Sequence, residues 1–208
     1  MGSAQHDANS PIYARAAVLR ADALACRRGG KPVFDNLSFD LVAGQALMVA
    51  GPNGSGKSSL LRQLAGLLPL DGGTLETDFT PQHIHYLGHE TGLKAALSVA
   101  ETLAFETILA GQTPNSELAA QLGLGGCDWQ FVGDLSSGQK RRLALARLLI
   151  DRRPLWLLDE PLTALDDTAR QLVHGLAADH LAQGGRIIAA SHEPLGFADA
   201  QIVLGGAV

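Results

Sequence analysis

The sequence predicts an α/β fold built on a mostly parallel β-sheet. Apolar runs of strand length recur along the chain, each followed by turn residues and then by a helical pattern. The runs "ALMVAG", "PLWLLDE" and "RIIAASH" end at Gly51, Glu160 and His192, and polar residues stand at or just after each end. Because ligands gather at the carboxyl ends of parallel strands, these three ends are the first candidates for a functional site.

The composition indicates one soluble globular unit. With 208 residues, 46% hydrophobic and 18% charged, we expect a single domain over residues 1–208 with a loose polar lead over about residues 1–12. The net charge of −5 gives no concentrated basic surface for nucleic acid. Cys26 and Cys127 stand alone, which favours a reducing compartment. No run approaches the roughly 18 to 20 apolar residues of a membrane helix, and no secretory signal is apparent, so we expect a chain that is neither exported nor inserted by itself.

Two helices follow from the spacing of the residues. An apolar stripe of helical period runs over residues 167–183, and Gly184 follows as a stop signal. Ser98 and Glu101 have the spacing of a capping box, which predicts a helix that begins just after Ser98. The region over about residues 91–153 is mostly helical and lacks a buried strand. We therefore expect a helical subdomain inserted into the sheet domain.

The stretch "GPNGSGKS" lies between the first apolar run and a helical pattern, and it matches GxxxxGK followed by Ser or Thr. Its glycines let backbone N–H groups turn inward, and the start of the helix adds a positive field for phosphates. We expect Lys57 to reach the β and γ phosphates and Ser58 to ligate magnesium. The alternative is a glycine-rich surface turn. The expected nucleotide-binding residues are Gly51, Pro52, Asn53, Gly54, Ser55, Gly56, Lys57, Ser58 and Ser59.

Two carboxylates and a histidine end the other two runs. Consecutive strand residues point in opposite directions, so Asp159 and Glu160 are expected to have different tasks. Asp159 would hold magnesium, usually through a water, while Glu160 would act as general base on the attacking water. His192 stands where an imidazole can donate a hydrogen bond to the γ phosphate. The alternative for the acidic pair is a solvated strand end.

The stretch "LSSGQKRR", taken alone, is a loop that caps the following helix. In order along the chain, however, the phosphate loop, "LSSGQ", "LLDEP", "ALD" and the strand-terminal histidine resemble the ATP-binding-cassette (ABC) ATPase family over nearly the entire length. The resemblance implies the fold of a P-loop NTPase of the ABC ATPase type: a mostly parallel core sheet, an N-terminal antiparallel β part and an inserted helical subdomain. It also implies ATP hydrolysis, with ATP and Mg²⁺ bound.

The family resemblance gives "LSSGQ" its function. In that family this signature loop closes over the ATP held by a second cassette subunit, which we expect to be an identical copy. Ser136, Gly138 and the helix start at Gln139 would form an anion-binding surface presented in trans, and Asp166 of "ALD" would lie at the same dimer seam. Residues 140–142 read mainly as the solvated flank of that helix. ATP favours the closed dimer and hydrolysis reopens it. Because we expect no membrane segment in this chain, the resemblance implies that transport needs separate integral membrane permease subunits.

The chain departs from the family pattern at two positions. Arg28 stands where the family has the aromatic residue that stacks on adenine; a guanidinium can also stack on a base, and the alternative is a plain surface residue. His89, in "YLGHETGLK", stands where the family has the glutamine that senses magnesium and the membrane partner. A neutral imidazole there can ligate or hydrogen-bond the metal-bound water, which makes His89 a candidate for both catalysis and metal binding. Its alternative is a turn histidine.

Four blocks narrow the resemblance further. "YLGHETGLK", "LSSGQKRRLALARLL", "PLWLLDEPLTALD" and "SHEPL" are similar to the ATP-binding subunits of the cytochrome c maturation (Ccm) transporters. That resemblance implies a peripheral protein on the cytoplasmic face of a bacterial inner membrane. It would power haem export or delivery, or release of a haem-loaded chaperone, beside haem-handling maturation proteins. Open alternatives are the ATPase of another ABC transporter (for lipid, metal or small peptide), a soluble non-transport ABC ATPase, and a phosphate-loop kinase of a small metabolite.

Overall fold

The computed structural model describes residues 17–205, so the lead predicted over about residues 1–12 lies outside the described residues. By its internal contacts the chain divides into two compact units. The described part of the first consists of Glu90–Arg152 and Leu162–Leu176, and that of the second of residues 17–89, Arg153–Pro161 and residues 177–205. The prediction of a single domain with a helical subdomain over about residues 91–153 stays a prediction.

The second unit contains two sheets. The antiparallel one joins β1 (Leu19–Arg28), β2 (Lys31–Asp40) and β4 (Gly72–Thr77), in the order β2-β1-β4. The parallel one joins β3 (Ala46–Ala50), β5 (Ile84–Leu87), β6 (Leu155–Asp159), β7 (Arg186–Ala190) and β8 (Ala200–Val203), in the order β5-β6-β7-β3-β8. The two sheets confirm the predicted parallel sheet and N-terminal antiparallel part.

The burial of the strands explains their sequences. Every residue of β6 and β7 is buried. Because both faces of these strands are covered, their sequences are nearly continuous apolar runs rather than an alternation of apolar and polar residues. Helix α1 (Lys57–Leu64) contributes Leu60 and Leu61, both without exposed surface, to a core that also contains Leu24 of β1 and Leu157 of β6. The core also includes Leu47 and Val49 of β3, the strand that leads into the loop before α1.

The first unit is helical. It contains α2 (Val99–Leu109), α3 (Leu118–Gln121), α4 (Ser137–Ala144) and α5 (Ala146–Ile150). The predicted capping box is confirmed: the Ser98 Oγ accepts a hydrogen bond from the Glu101 N–H at 3.2 Å, and the Glu101 Oε2 accepts one from the Ser98 N–H at 2.8 Å. The hydrogen bond from the Ser98 N–H to the carboxylate, together with an interaction of the Ser98 side chain, lowers the pKa of Glu101.

The last helix, α6, runs from Asp167 to Ala182 and ends one residue before the predicted limit. Gly184 follows with a φ of +87°, a backbone conformation in which glycine is the least strained residue. None of the helices within residues 17–205 combines the length and the hydropathy needed to cross a membrane.

Candidate functional site

The phosphate loop connects β3 to α1 and depends on its glycines. Gly51, Gly54 and Gly56 have φ values of +142°, +82° and +100°, where residues with a side chain are strained. Gly56 also packs closely, because a Cβ there would lie 2.6 Å from Val33 and 2.9 Å from Phe34. Helix α1 has no side-chain cap and no acidic residue in its first turn. Its first N–H groups are therefore available to an anion.

Lys57 is the charged group at the centre of this loop. Its side chain is largely buried, with 7% of the residue exposed, and its Nζ donates to the Gly51 carbonyl at 2.8 Å and to the Pro52 carbonyl at 3.1 Å. It forms no ion pair with any residue in the range 17–205. A buried ammonium needs a counter-charge, and this one has a third donor to offer. The loop is thus suited to an anion with several oxygens.

Ser58 and Asp159 supply oxygen atoms that fit magnesium. Ser58 lies in the first turn of α1, and Asp159 is the last residue of β6, with 2% of its surface exposed. Asp159 is in register with Ala190 of β7, which is in register with Val49 of β3, so two strand spacings, about 10 Å, separate Asp159 from the strand that enters the loop. Within the described ranges no three His, Cys, Asp or Glu residues cluster as a metal site. Mg²⁺ suits such a place, because it takes one or two protein oxygens and completes its shell with phosphates and water.

Glu160 and His192 are brought together by the structure, although 32 residues separate them in sequence. The Glu160 Oε2 lies 2.9 Å from the His192 Nδ1, with 15% of the Glu160 side chain and 62% of the His192 side chain exposed. Glu160 has a φ of +52°, and its N–H donates to the Ala190 carbonyl at 2.9 Å. Non-glycine residues in this region are strained and are found disproportionately at functional sites. An imidazolium donates from both ring nitrogens, so His192 can hold Glu160 through Nδ1 and keep Nε2 for a second acceptor.

His89 and Arg28, the two residues that depart from the family pattern, both belong to the second unit. His89 is exposed, two residues beyond the end of β5, which pairs with β6 through Leu87 and Leu158. It makes no hydrogen bond to any described residue, so only its position beside the end of β6 supports a sensor role. Arg28 is the last residue of β1, and its Nη2 lies 3.4 Å from the Ser59 Oγ of α1. The guanidinium therefore reaches the helix that carries the phosphate loop.

The signature loop leads directly into α4. The helix begins at Ser137, two residues before the predicted start at Gln139, because Ser136 caps it. The Ser136 Oγ accepts from the Gln139 N–H at 3.2 Å, and the Gln139 Oε1 accepts from the Ser136 N–H at 2.8 Å. This capping box fixes the loop's conformation while Ser136 remains exposed.

The "ALD" turn packs against this helix within the first unit. A Cβ at Gly138 would lie 2.8 Å from the Ala164 carbonyl oxygen, so glycine permits the contact. The Arg142 Nη2 lies 3.6 Å from the Asp166 Oδ2, and the Asp166 Oδ1 accepts from the Ala169 N–H at 2.9 Å to cap α6. Gly138 and Asp166, two of the residues expected to face the second cassette, thus lie in segments that pack against each other.

The interpretation of residues 140–142 as a solvated flank is wrong. Arg141 is buried, with 6% of its surface exposed, and 22% of the Arg142 side chain is exposed. The Lys140 Nζ donates to the Gly133 carbonyl at 3.0 Å. The helical spacing indicates the burial of Arg141, because Arg141 precedes the buried Ala144 and Leu145 by three and four residues and lies on the same helix face.

Comparison with known proteins gives consistent matches. The family model described as ABC transporter matches residues 34–163. A protein of Bradyrhizobium diazoefficiens, named cytochrome c biogenesis ATP-binding export protein CcmA, is 50% identical over 189 residues, covering 87% of this chain and 94% of the relative. A Rhizobium meliloti protein of the same name is 45% identical, covering 88% and 95%. Among solved structures, an ABC transporter ATP-binding protein from Pyrococcus furiosus has a TM-score of 0.77 and 25% identity, covering 90% of this chain and 97% of that one.

Proposed function

The chain belongs to the ABC transporter family of ATP-binding proteins, and from that premise we propose that it is the ATP-hydrolysing subunit of a transporter in cytochrome c biogenesis. The predicted family, ABC ATPase fold and ATPase activity are confirmed. The observation that carries the proposed site is the buried Lys57 ammonium, which has two loop carbonyls as its partners. The cytochrome c role is supported by relatives of 43% to 50% identity that carry that name.

The proposed hydrolysis uses residues at the carboxyl edge of the parallel sheet. Lys57 and the N–H groups at the start of α1 bind the β and γ phosphates. Ser58 and Asp159 hold Mg²⁺, which when bound neutralises the negative charge of the phosphates. Glu160 accepts a proton from the attacking water, an effect worth about 10² to 10⁴ in rate. His192 keeps that carboxylate in place through its Nδ1, at 2.9 Å.

The proposed site is divided between two copies of the chain. Ser136, Gly138, Gln139 and Asp166 of one copy would complete the site on the phosphate loop of the other. Their support is the exposed start of α4, where the N–H groups of Ser137 and Gly138 suit an anion while the Gln139 N–H is held by Ser136, and the packing of Gly138 against the "ALD" turn. Members of this family work as dimers with membrane subunits; the identity of the second cassette as a copy of this chain belongs to the proposal.

Mixing two inactive variants tests the divided site. Lys57→Ala disables the phosphate loop, and Gly138→Glu disables the signature loop, so neither homodimer hydrolyses ATP. In an equimolar mixture half of the dimers are mixed, and each mixed dimer has one intact site of two. We therefore expect about a quarter of the wild-type ATPase rate. A site contained in a single copy predicts no recovery on mixing, and that result would contradict the proposal.

Arg28 and His89 have proposed roles at the margins of the site. Arg28 stacks on the adenine in place of an aromatic side chain, and His89 senses Mg²⁺ and the membrane subunit. His89→Ala is expected to reduce ATPase activity stimulated by the membrane partner more than it reduces ATP binding. Equal losses in both measurements would remove the sensor role. Arg28→Ala should raise the Kd for MgATP more than the Kd for magnesium triphosphate without a base, because the stacking contact is lost while the phosphate contacts are shared.

The cellular role is tested by replacement. We propose a peripheral position on the cytoplasmic side of a bacterial inner membrane, beside permease subunits and haem-handling maturation proteins, where ATP drives haem export or delivery, or release of a haem-loaded chaperone. In a Bradyrhizobium diazoefficiens strain that lacks its relative, the chain should restore covalently haem-stained c-type cytochromes, and the Lys57→Ala chain should not. Restoration by neither chain, with copurification of an unrelated permease, would favour the ATPase of another ABC transporter.

A further inference from the structure

We infer that the segment after β8, Leu204 and Gly205, packs against the phosphate loop and that Gly205 is a positioning residue for ATP binding. The inference rests on the proposed ATP site and adds a residue to it that no motif includes. β8 is the edge strand beside β3, with Val203 in register with Ala50. The Leu204 N–H continues that pairing by donating to the Ala50 carbonyl at 2.8 Å. The chain after β8 therefore runs beside the start of the loop.

Contacts from this segment reach three loop residues. A Cβ at Gly51 would overlap the Leu204 carbonyl oxygen, so the two backbones touch. Gly205 has a φ of +81°, and a Cβ there would lie 3.0 Å from the Ser55 Cβ and 3.4 Å from the Pro52 ring. Ser55 is itself buried, with 8% of its surface exposed. A side chain at position 205 would thus press on the loop at Ser55 and Pro52.

The same loop residues hold the phosphate-binding cation. The carbonyls of Gly51 and Pro52 accept the two hydrogen bonds from the Lys57 Nζ. A Cβ at position 205 would require Ser55, 3.0 Å away, to shift by a few tenths of an ångström, and it would meet the Pro52 ring at 3.4 Å. Because the Pro52 carbonyl is a partner of the Lys57 ammonium, a shift of this loop displaces the ammonium relative to the phosphates. Gly205 acts on ATP through the loop and does not touch the nucleotide.

The test compares two glycine substitutions in the full-length Glu160→Gln chain, which is expected to bind MgATP without turnover. Gly205→Ala adds a methyl group against Ser55 and Pro52. Gly66→Ala is the matched control, because Gly66 has a φ of +71° and nothing within 4 Å of the added Cβ. Both variants carry a similar backbone strain, so their melting temperatures should fall alike. The Kd for MgATP should rise about tenfold in the Gly205 variant alone, the scale of one charge-assisted hydrogen bond.

Three further measurements separate positioning from folding. In chains with Glu160 intact, Gly205→Ala should raise the KM for ATP more than it lowers kcat. Ser55→Gly removes the atom that the new methyl group meets, so the effect of Gly205→Ala on the Kd should shrink in that background. On the unaltered chain, MgATP should slow hydrogen exchange at the Leu204 amide. This last measurement does not require any variant to fold.

The failures are distinguishable. An unaltered chain that does not bind MgATP overturns the proposed function, and this inference with it. An unaltered chain that binds MgATP, with equal Kd values for the Gly205 and Gly66 variants, overturns the inference alone. Unchanged exchange at Leu204 while the loop amides become protected has the same consequence.

Discussion

The left-handed backbone at Glu160 predicts that a glycine there gives a more stable protein than an alanine does, while both substitutions abolish activity. Glu160 has a φ of +52°, and its N–H is held by the Ala190 carbonyl at 2.9 Å. A residue with a Cβ costs roughly 1 to 2 kcal/mol in this region. Glycine avoids that strain, but its larger freedom in the unfolded chain costs roughly 0.5 to 1 kcal/mol. The difference leaves about 0.5 to 1 kcal/mol in favour of glycine.

The comparison is made between Glu160→Gly and Glu160→Ala, since both remove the carboxylate and its contact with His192. For a chain of this size the glycine variant should melt about 1 to 4 °C higher than the alanine variant, measured by thermal unfolding without nucleotide. Both variants should lack ATPase activity. The same pair of substitutions at Gln171, exposed within α6, is the control and should give the opposite order, because glycine weakens a helix by about 1 kcal/mol. A glycine variant at position 160 that melts at or below the alanine variant would refute the strain.

Three other predictions concern stability. Gly175→Ala should raise the free energy of unfolding by about 0.5 to 1 kcal/mol in denaturant titrations, because Gly175 lies inside α6 with open space around its Cα. Arg147→Ala should lower the free energy of unfolding by about 1 to 3 kcal/mol, because the Glu106 carboxylate, 12% exposed, loses the partner that binds it at 2.6 Å. A double variant that also carries Glu106→Gln should lose less stability. The pKa of Glu101 is lowered from 4.5 by the Ser98 N–H, so the capping box should stabilise α2 above pH 4.5 and lose its effect as the pH falls through the lower folded-state pKa. Glu101→Gln should remove this part of the acid dependence, and an acid unfolding curve that the substitution leaves unchanged would contradict the prediction.

The parts of the site that sequence alone predicted depend on local pattern. The phosphate loop needs glycines at fixed positions between a strand and a helix, and Asp159 needs only to end a buried strand, so both follow from neighbouring residues. The capping boxes at Ser98 and Ser136 follow from a spacing of three residues. Such features can be predicted from short stretches of sequence because they depend on the backbone geometry of neighbouring residues.

Other features depend on distant segments and were not predictable. The contact of Glu160 with His192 requires that β6 and β7 be neighbours in register, which no local pattern states. Arg186 begins β7 with no exposed surface, and its Nη2 donates to the Ala17 carbonyl at 2.8 Å. Burial lowers the pKa of this guanidinium, although Asp78 opposes the effect. A charged residue at such a place is acceptable only because residues far along the chain accept its hydrogen bonds.

The strand order has a consequence for synthesis on the ribosome. β3, which enters the phosphate loop, leaves the exit tunnel well before both of its partners in the sheet, β7 and β8, have been synthesised. A nascent polypeptide therefore exposes an unpaired apolar segment until β7 and β8 emerge, and only then can the sheet hold the phosphate loop in place. Pairings between such distant segments fold slowly, which makes this interval the one in which the growing chain depends most on chaperones.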